Sequence, residues 1–295
     1  MNSEMAYLLG LICGNGEVIR QADDTIFSIE IPHRKIVTET KQDVKIFVKA
    51  SISDMRNILE PLIGTSISFV QNKGVTYIRF TKKNEDYLVR EIVQFIGKAA
   101  NHRNMRVSSK VFNFTTDEKV MFLRGFSDVT GYIRRSNYFY QKHKHRVYLE
   151  IPHNWNLVVD ICNLLKSIDV PVQSIDWAHP NMRDPKRKKY DEGKPDFWKK
   201  EHQIKIWANE FSKIGFEVIH KMEALELFVE ELNKGFTLGG KSSETVTHRF
   251  YWECRNIPKL KPNHPGEYDN FLPKEIRGKH YNGWKEIAHD LGYHE

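Results

Sequence analysis

Between Tyr132 and Arg146 the chain carries five basic residues (Arg134, Arg135, Lys142, Lys144, Arg146) and no acid, interleaved with Tyr138, Phe139, Tyr140, His143 and His145. On a strand, alternate side chains share a face. Arg135, Asn137 and Phe139 then point one way, and Arg134, Ser136 and Tyr138 the other. A two-stranded ribbon of this kind fits the major groove of DNA, where Arg, Asn and Gln read base edges. A solvated surface hairpin would have the same composition. Nearer the start, a second ribbon offers Arg20, Gln21, Ser28, Glu30, Lys45 and Lys49, and the hairpin after it offers Lys73 and Arg79. Between Asn181 and Lys200 eight basic residues, Lys186-Arg187-Lys188-Lys189 among them, face four acids. Like-charge runs are usually solvated, and beside a duplex they contact phosphates.

The elements that must position these groups follow from periodicity. Apolar–polar alternation reads as strands over 17–21, 25–31, 42–49, 66–70, 75–80, 132–140, 146–151, 172–177 and 203–207. Asn72-Lys73-Gly74 is a hairpin signal. Helical spacing covers 52–63, 85–97, 155–168, 216–232 and 284–292, with Gly292 as a C-cap. Thr115 and Glu118 form a capping box for a helix that follows. The composition (295 residues, 40% hydrophobic, 12% aromatic) is that of a globular chain with one large or two ordinary domains. A net charge of +7 suits a polyanionic partner. The longest apolar run, Tyr7 to Cys13, is too short to span a bilayer, and its flank holds Glu4 without Lys or Arg, so neither a membrane partner nor a signal peptide is expected. Cys13, Cys162 and Cys254 form no CxxC pair; a reducing, intracellular setting (cytoplasm, nucleoid or an organelle) follows. The 13 histidines show no zinc spacing with cysteine, and no phosphate-cradling glycine loop is present.

Two stretches repeat one pattern: Leu8-Leu9-Gly10-Leu11-Ile12-Cys13-Gly14-Asn15-Gly16 and Leu123-Arg124-Gly125-Phe126-Ser127-Asp128-Val129-Thr130-Gly131. Each has an apolar helical run, glycine at the third and ninth positions, and then a strand. A glycine inside a helix costs about 1 kcal/mol relative to alanine. That cost makes sense if another backbone passes close by, so helices 4–12 and 117–126 should pack through Gly10 and Gly125. The paired pattern resembles the signature of the LAGLIDADG homing endonucleases, in the arrangement where one chain carries two copies. The resemblance covers about residues 4–235. Glu30-Ile31-Pro32-His33 and Glu150-Ile151-Pro152-His153 also repeat, but they align the halves in a different register.

The resemblance implies an α/β (α+β) fold of two pseudo-symmetric αββαββα halves forming a DNA-binding saddle, with the motif helices packed at its centre. The halves would span 1–110 and 111–235, and an extension, 236–295, would wrap the second. It implies a monomer that binds a long, asymmetric duplex site and hydrolyses phosphodiester bonds with Mg²⁺. The contrasting reading is a binder that does not cut, either an intron-RNA maturase or a DNA-binding regulator. In the family the motif's eighth residue is an acid that holds Mg²⁺, and the seventh lends a carbonyl, here Gly14 and Val129. The eighth residues here are Asn15 and Thr130, so two negative charges are missing where Mg²⁺ wants hard, charged oxygens. Glu17 and Asp128 are the acids near enough in sequence to stand in. Lys98 and Lys221 lie where the family places its water-polarising bases.

Overall fold

The computed structural model describes residues 2–36, 44–97, 100–134, 145–152, 154–177, 201–233, 272–279 and 281–295. Lys98, Arg135, Asn137, Lys142, Lys144, Lys186, Arg187, Lys188, Lys189 and Cys254 lie outside the described residues.

The first motif forms α1 (Ser3–Asn15), started by Asn2, whose side chain accepts from the Met5 N–H at 2.9 Å. The second forms α6 (Thr116–Thr130), started by the capping box of Thr115 and Glu118. Both helices run on to the eighth motif residue and pass straight into strands at Gly16 and Gly131. Their third-position glycines are the contact. A Cβ on Gly10 would stand 2.0 Å from the Phe122 carbonyl oxygen, and one on Gly125 would stand 2.2 Å from that of Tyr7. No side chain fits there, so the two backbones touch. Since α1 is enclosed from Met5 to Asn15, it is apolar on nearly every face.

Each half then builds one antiparallel sheet. The first has strands β1 (Gly16–Arg20), β2 (Asp24–Pro32), β3 (Ser68–Asn72) and β4 (Val75–Lys83). The second has β5 (Gly131–Arg134), β6 (Arg146–Pro152), β7 (Ser174–Asp176) and β8 (Glu201–Trp207). Their orders correspond, β1-β2-β4-β3 and β5-β6-β8-β7. One face of each sheet is apolar and lies against helices: Val18, Phe27, Ile29, Ile31, Ile78 and Phe80 in the first, and Ile133, Val147, Leu149, Ile151, Ile204 and Ile206 in the second. The register conflict between the two repeats resolves here. Gly16 pairs with Ile29 and Gly131 with Leu149, so Glu30 and Glu150 are equivalent, and the second hairpin holds five extra residues.

One expected strand is a helix. Residues 44–49 open α3 (Val44–Ile63). Alternation at Val44, Ile46 and Val48 mimics a strand, but Val48, Met55, Leu59 and Ile63 form one buried helical stripe while Ile46 is 64% exposed. Residues 85–97 contain α4 (Tyr87–Ile96), 155–168 contain α7 (Trp155–Lys166), and α2 (His33–Ile36) and α5 (Ser109–Phe112) are single turns. In the extension, the helix Trp284–Asp290 is followed by Gly292 at φ +102°, and it docks on the second half. The Asn163 side chain of α7 donates to the Gly292 carbonyl at 3.0 Å and accepts from the His294 N–H at 3.1 Å. Among the described residues no helix is long and apolar enough to cross a membrane.

Candidate nucleic-acid interface

The feet of the two motif helices meet at the centre of the molecule. Asn15 is 5% exposed, and its amide donates to the Glu30 carbonyl at 3.2 Å and the Val129 carbonyl at 3.1 Å. Both partners only accept, so the amide must present its nitrogen. Thr130 is fully buried, and its hydroxyl donates back to the Phe126 carbonyl at 2.7 Å, inside its own helix. These residues do not fit Mg²⁺. The seventh-position carbonyl of Val129 already accepts a hydrogen bond, and neither eighth residue presents a charged oxygen. Among the described residues, no group of three or more His, Cys, Asp or Glu could hold a metal ion.

The stand-in acids do not repair this. Asp128 is buried in the core, where its Oδ2 accepts from the Tyr7 hydroxyl at 2.8 Å and the Glu217 N–H at 3.2 Å. Burial raises its carboxyl to about 6, with the Lys221 ammonium opposing. Glu17 is exposed on β1, the second residue past Asn15. Lys221, on the helix Ile219–Asn233, is fully enclosed rather than open to water. It donates to the Asp128 carbonyl at 3.0 Å and the Ser127 carbonyl at 3.3 Å. Burial lowers its ammonium to about 8, with Asp128 opposing. A cation at the last carbonyls of a helix stabilises that end, and this is the role its placement supports.

A second nitrogen sits at the equivalent foot. Lys35, on the short helix His33–Ile36, is buried and donates to the Glu150 carbonyl at 3.3 Å. That carbonyl corresponds to the one on Glu30 that takes the Asn15 amide. Lys35 Nζ also lies 3.8 Å from the Glu150 carboxylate. Beside it, Arg34 is half exposed and pairs with both Glu150, at 3.5 Å, and Glu201. Burial works to raise Glu150, but Lys35, the bond to Glu201 and Arg34 outweigh it and hold the carboxyl near 2. Burial pushes Glu201 up to about 7; Lys35 opposes this, and the neighbouring Glu150 adds to it. Arg34 and Lys35 thus join the first half to the second. Sequence reading missed them; their one signal is that they follow the repeated Glu-Ile-Pro-His.

The sheet faces turned away from the helices carry most of the remaining groups. In the first sheet Glu17, Ser28, Arg79 and Ser68 form one row across the strands. Ile19, Ile26 and Thr81 form the next, farther from the centre; Glu30, Tyr77 and Val70 form the row nearer it. Arg79 is exposed, donates through Nε to the Ser28 hydroxyl at 3.1 Å, and lies over the Tyr77 ring at 5.2 Å. Arg20 instead donates to the Gly97 carbonyl at 2.7 Å, from the side of the strand opposite Ser28. Gln21 is exposed at the β1–β2 turn, and Lys73 at the β3–β4 turn. Lys45 and Lys49 are exposed on α3 and are not part of a ribbon.

In the second sheet Tyr132 and Tyr148 stack at 5.1 Å, Arg134 lies over Tyr132 at 4.4 Å, and Arg146 lies over Trp207 at 4.5 Å. Arg146 is only 4% exposed, so its guanidinium is packed, not open. Gln203 donates to the Tyr132 hydroxyl at 3.2 Å and to Glu150 Oε1 at 2.9 Å, and Lys205 pairs with Asp176. Tyr148, Gln203 and Trp207 escaped sequence reading as site residues, although their strands were expected.

Two motif helices packed through their third-position glycines, each feeding the first strand of an antiparallel sheet, form the arrangement that the resemblance to LAGLIDADG proteins leads one to expect. No protein-family model and no curated protein matches the sequence. Among solved structures, I-DmoI in complex with DNA and Mn is similar at 15% identity and a TM-score of 0.37, covering 75% of this chain and 96% of that one. The LAGLIDADG meganuclease I-AabMI bound to uncleaved DNA is similar at 9% identity and a TM-score of 0.43, covering 86% and 98%. Full-length DUF199/WhiA from Thermatoga maritima is similar at 15% identity and a TM-score of 0.42, covering 98% and 88%. Likenesses this distant carry no argument about activity.

Proposed function

We propose that this chain is an intracellular, monomeric, sequence-specific duplex-DNA-binding protein of LAGLIDADG homing endonuclease type that holds its target without metal-dependent cleavage. The observation that carries the reading is the Asn15 amide bonded to the Glu30 and Val129 carbonyls. Mg²⁺ needs charged oxygens and stays partly hydrated; this foot offers an amide N–H and a hydroxyl turned inward. The two halves supply the paired sheets for a long site, and the net charge of +7 favours a polyanion. Their outer faces carry Arg, Gln, Ser and Tyr side chains suited to groove edges.

The test is selection from a random duplex library, followed by incubation of the selected site with Mg²⁺ or Mn²⁺. The parent chain should bind with a steep salt dependence and leave both strands intact. Cleavage by the parent would overturn the non-cleaving reading. Cleavage by the Asn15→Asp, Thr130→Asp double variant alone would support it, since it would place the missing function at those two positions. Preference for folded RNA over every duplex would overturn the DNA reading and favour a maturase.

A further inference from the structure

Resting on the reading above, we infer that the first half reads a guanine through Arg79 and, about two base-pair steps farther from the centre, a thymine methyl through Ile19 and Ile26, and that the second half does not repeat this pattern.

The argument starts from Arg79. Its Nε is tied to the Ser28 hydroxyl and its guanidinium lies over the Tyr77 ring, so the exposed side chain is pre-oriented, and its two Nη groups form a fork of donors. Such a fork matches the O6 and N7 acceptors of guanine in the major groove. A phosphate is the other acceptor for a guanidinium, but the surroundings disfavour it. Glu17 stands in the same row and Glu30 in the adjoining one, both on the same face. Both carboxylates lie on the β2 side of Arg79 and repel a phosphate backbone there, whereas a groove floor with uncharged donors and acceptors tolerates them.

The next row is apolar. Ile19 and Ile26 pair directly across β1 and β2, and Ile19 is 42% exposed. An exposed isoleucine with a half-buried one beside it, on a sheet face within a basic protein, gains nothing from a phosphate, but the pair matches the C5 methyl of thymine, which apolar side chains contact. The spacing fits. Residues two apart on one strand lie about 6.8 Å apart, and base pairs stack at about 3.4 Å along each strand. Arg79 and the isoleucine row therefore fall about two steps apart.

The equivalent rows of the second sheet differ. Tyr148 and Lys205 stand where Ser28 and Arg79 do, and Arg134 and Arg146 stand where Ile19 and Ile26 do. An arginine pair cannot make the methyl contact, so a target that followed the pseudo-symmetry would not satisfy both halves.

Selected sites should show guanine and thymine two steps apart in one half-site, with no such pair at the symmetric positions. Arg79→Ala should relax the guanine and weaken binding about tenfold, in line with one bidentate base contact. Replacing that thymine by deoxyuridine, which lacks only the methyl, should weaken the parent several-fold and leave an Ile19→Ala, Ile26→Ala variant unaffected. Melting temperatures close to the parent's would confirm that these surface variants fold. If no duplex is selected, the DNA-binding reading itself fails. If a duplex is selected but the guanine survives Arg79→Ala, or the deoxyuridine is neutral to the parent, this inference is overturned while DNA binding stands. A uniform loss across all sequences with a shallower salt slope would make Arg79 a phosphate contact and overturn it too.

Discussion

Asn15→Asp tests the site most directly, because it exchanges one heavy atom and introduces the acid that the resemblance leads one to expect. The Asn15 amide, at 5% exposure, makes a part-buried hydrogen bond to the Glu30 carbonyl at 3.2 Å and a buried one to the Val129 carbonyl at 3.1 Å. Each is worth about 1 kcal/mol. A carboxylate there loses both and faces two carbonyl oxygens with no cation bonded to it. Leaving a buried charge uncompensated costs about 3–5 kcal/mol. For a chain of this size about 1 kcal/mol moves the melting temperature by about 2–4 °C, so the variant should melt roughly 6–20 °C below the parent. The loss has a signed pH dependence. The new carboxyl would hold its proton more tightly folded than unfolded, so the variant's deficit should widen as pH rises through the carboxylate range and shrink in acid. Millimolar Mg²⁺ should recover part of the deficit in the variant, since a carboxylate beside the Val129 carbonyl is a hard oxygen pair, and leave the parent unchanged. Thermal denaturation in acid and at neutral pH, with and without Mg²⁺, measures all three effects. A variant as stable as the parent at neutral pH without Mg²⁺ would refute the hydrogen-bonded foot, as would a parent that Mg²⁺ itself stabilises at concentrations matching a specific site.

Three further outcomes are expected. Gly10→Ala forces a methyl to within 2.0 Å of the Phe122 carbonyl oxygen, so the motif helices must separate; the loss should be about 3 kcal/mol or more by chemical denaturation, and a loss under about 1 kcal/mol would contradict backbone contact. Glu201 is raised to about 7, so its ionisation costs the fold stability as pH rises from the ordinary carboxylate range towards 7, whereas Glu150, held near 2, contributes stability that is lost as pH falls from that range towards 2. Glu201→Gln should therefore flatten the first slope and keep the second, read from melting temperatures across pH; an unchanged profile would exclude Glu201 as its source. Asn163→Ala removes two exposed bonds to Gly292 and His294 and should cost no more than about 1 kcal/mol overall, while speeding hydrogen exchange in residues 284–295; unaltered exchange there would show that other contacts fasten the extension.

What was legible in the sequence was local or repeated. Gly10 and Gly125 stood out because a helix tolerates an interior glycine poorly, and Thr115 and Glu118 because a capping box closes within four residues. The sheets announced themselves by alternation, since one face of each lies on helices and the other does not. Residues 44–49 misled for the same reason: six residues cannot separate a period of 2 from a helix whose buried stripe includes Val48 and is completed well beyond them by Met55, Leu59 and Ile63. The bonds at the foot were out of reach. Asn15 meets Val129 across 114 positions, and Lys35 meets Glu150 across 115, pairings set by the helix contact and not by any nearby residue.

Those two bonds also explain how the junction between helix and strand is satisfied with no acid at either eighth motif position. At each foot a helix ends and a strand returns, leaving carbonyls at a buried junction that need a donor or a cation. Cation ligation is one way to satisfy them. Here an amide does so at Glu30 and Val129, an ammonium at Glu150, and a second ammonium at Ser127 and Asp128. The nitrogens are covalently part of the fold, so the junction is complete at any metal concentration. The two halves also supply different donors, Asn15 from the motif itself and Lys35 from the segment after β2, which breaks the pseudo-symmetry at its centre. Restoring an acid at one foot therefore supplies at most a weak, one-sided cation site and not the paired site that cutting needs. Lys35 and Lys221 would still hold the carbonyls of the other half, so if Asn15→Asp, Thr130→Asp binds DNA but leaves it intact, a cleaving variant should require their replacement as well as the two carboxylates.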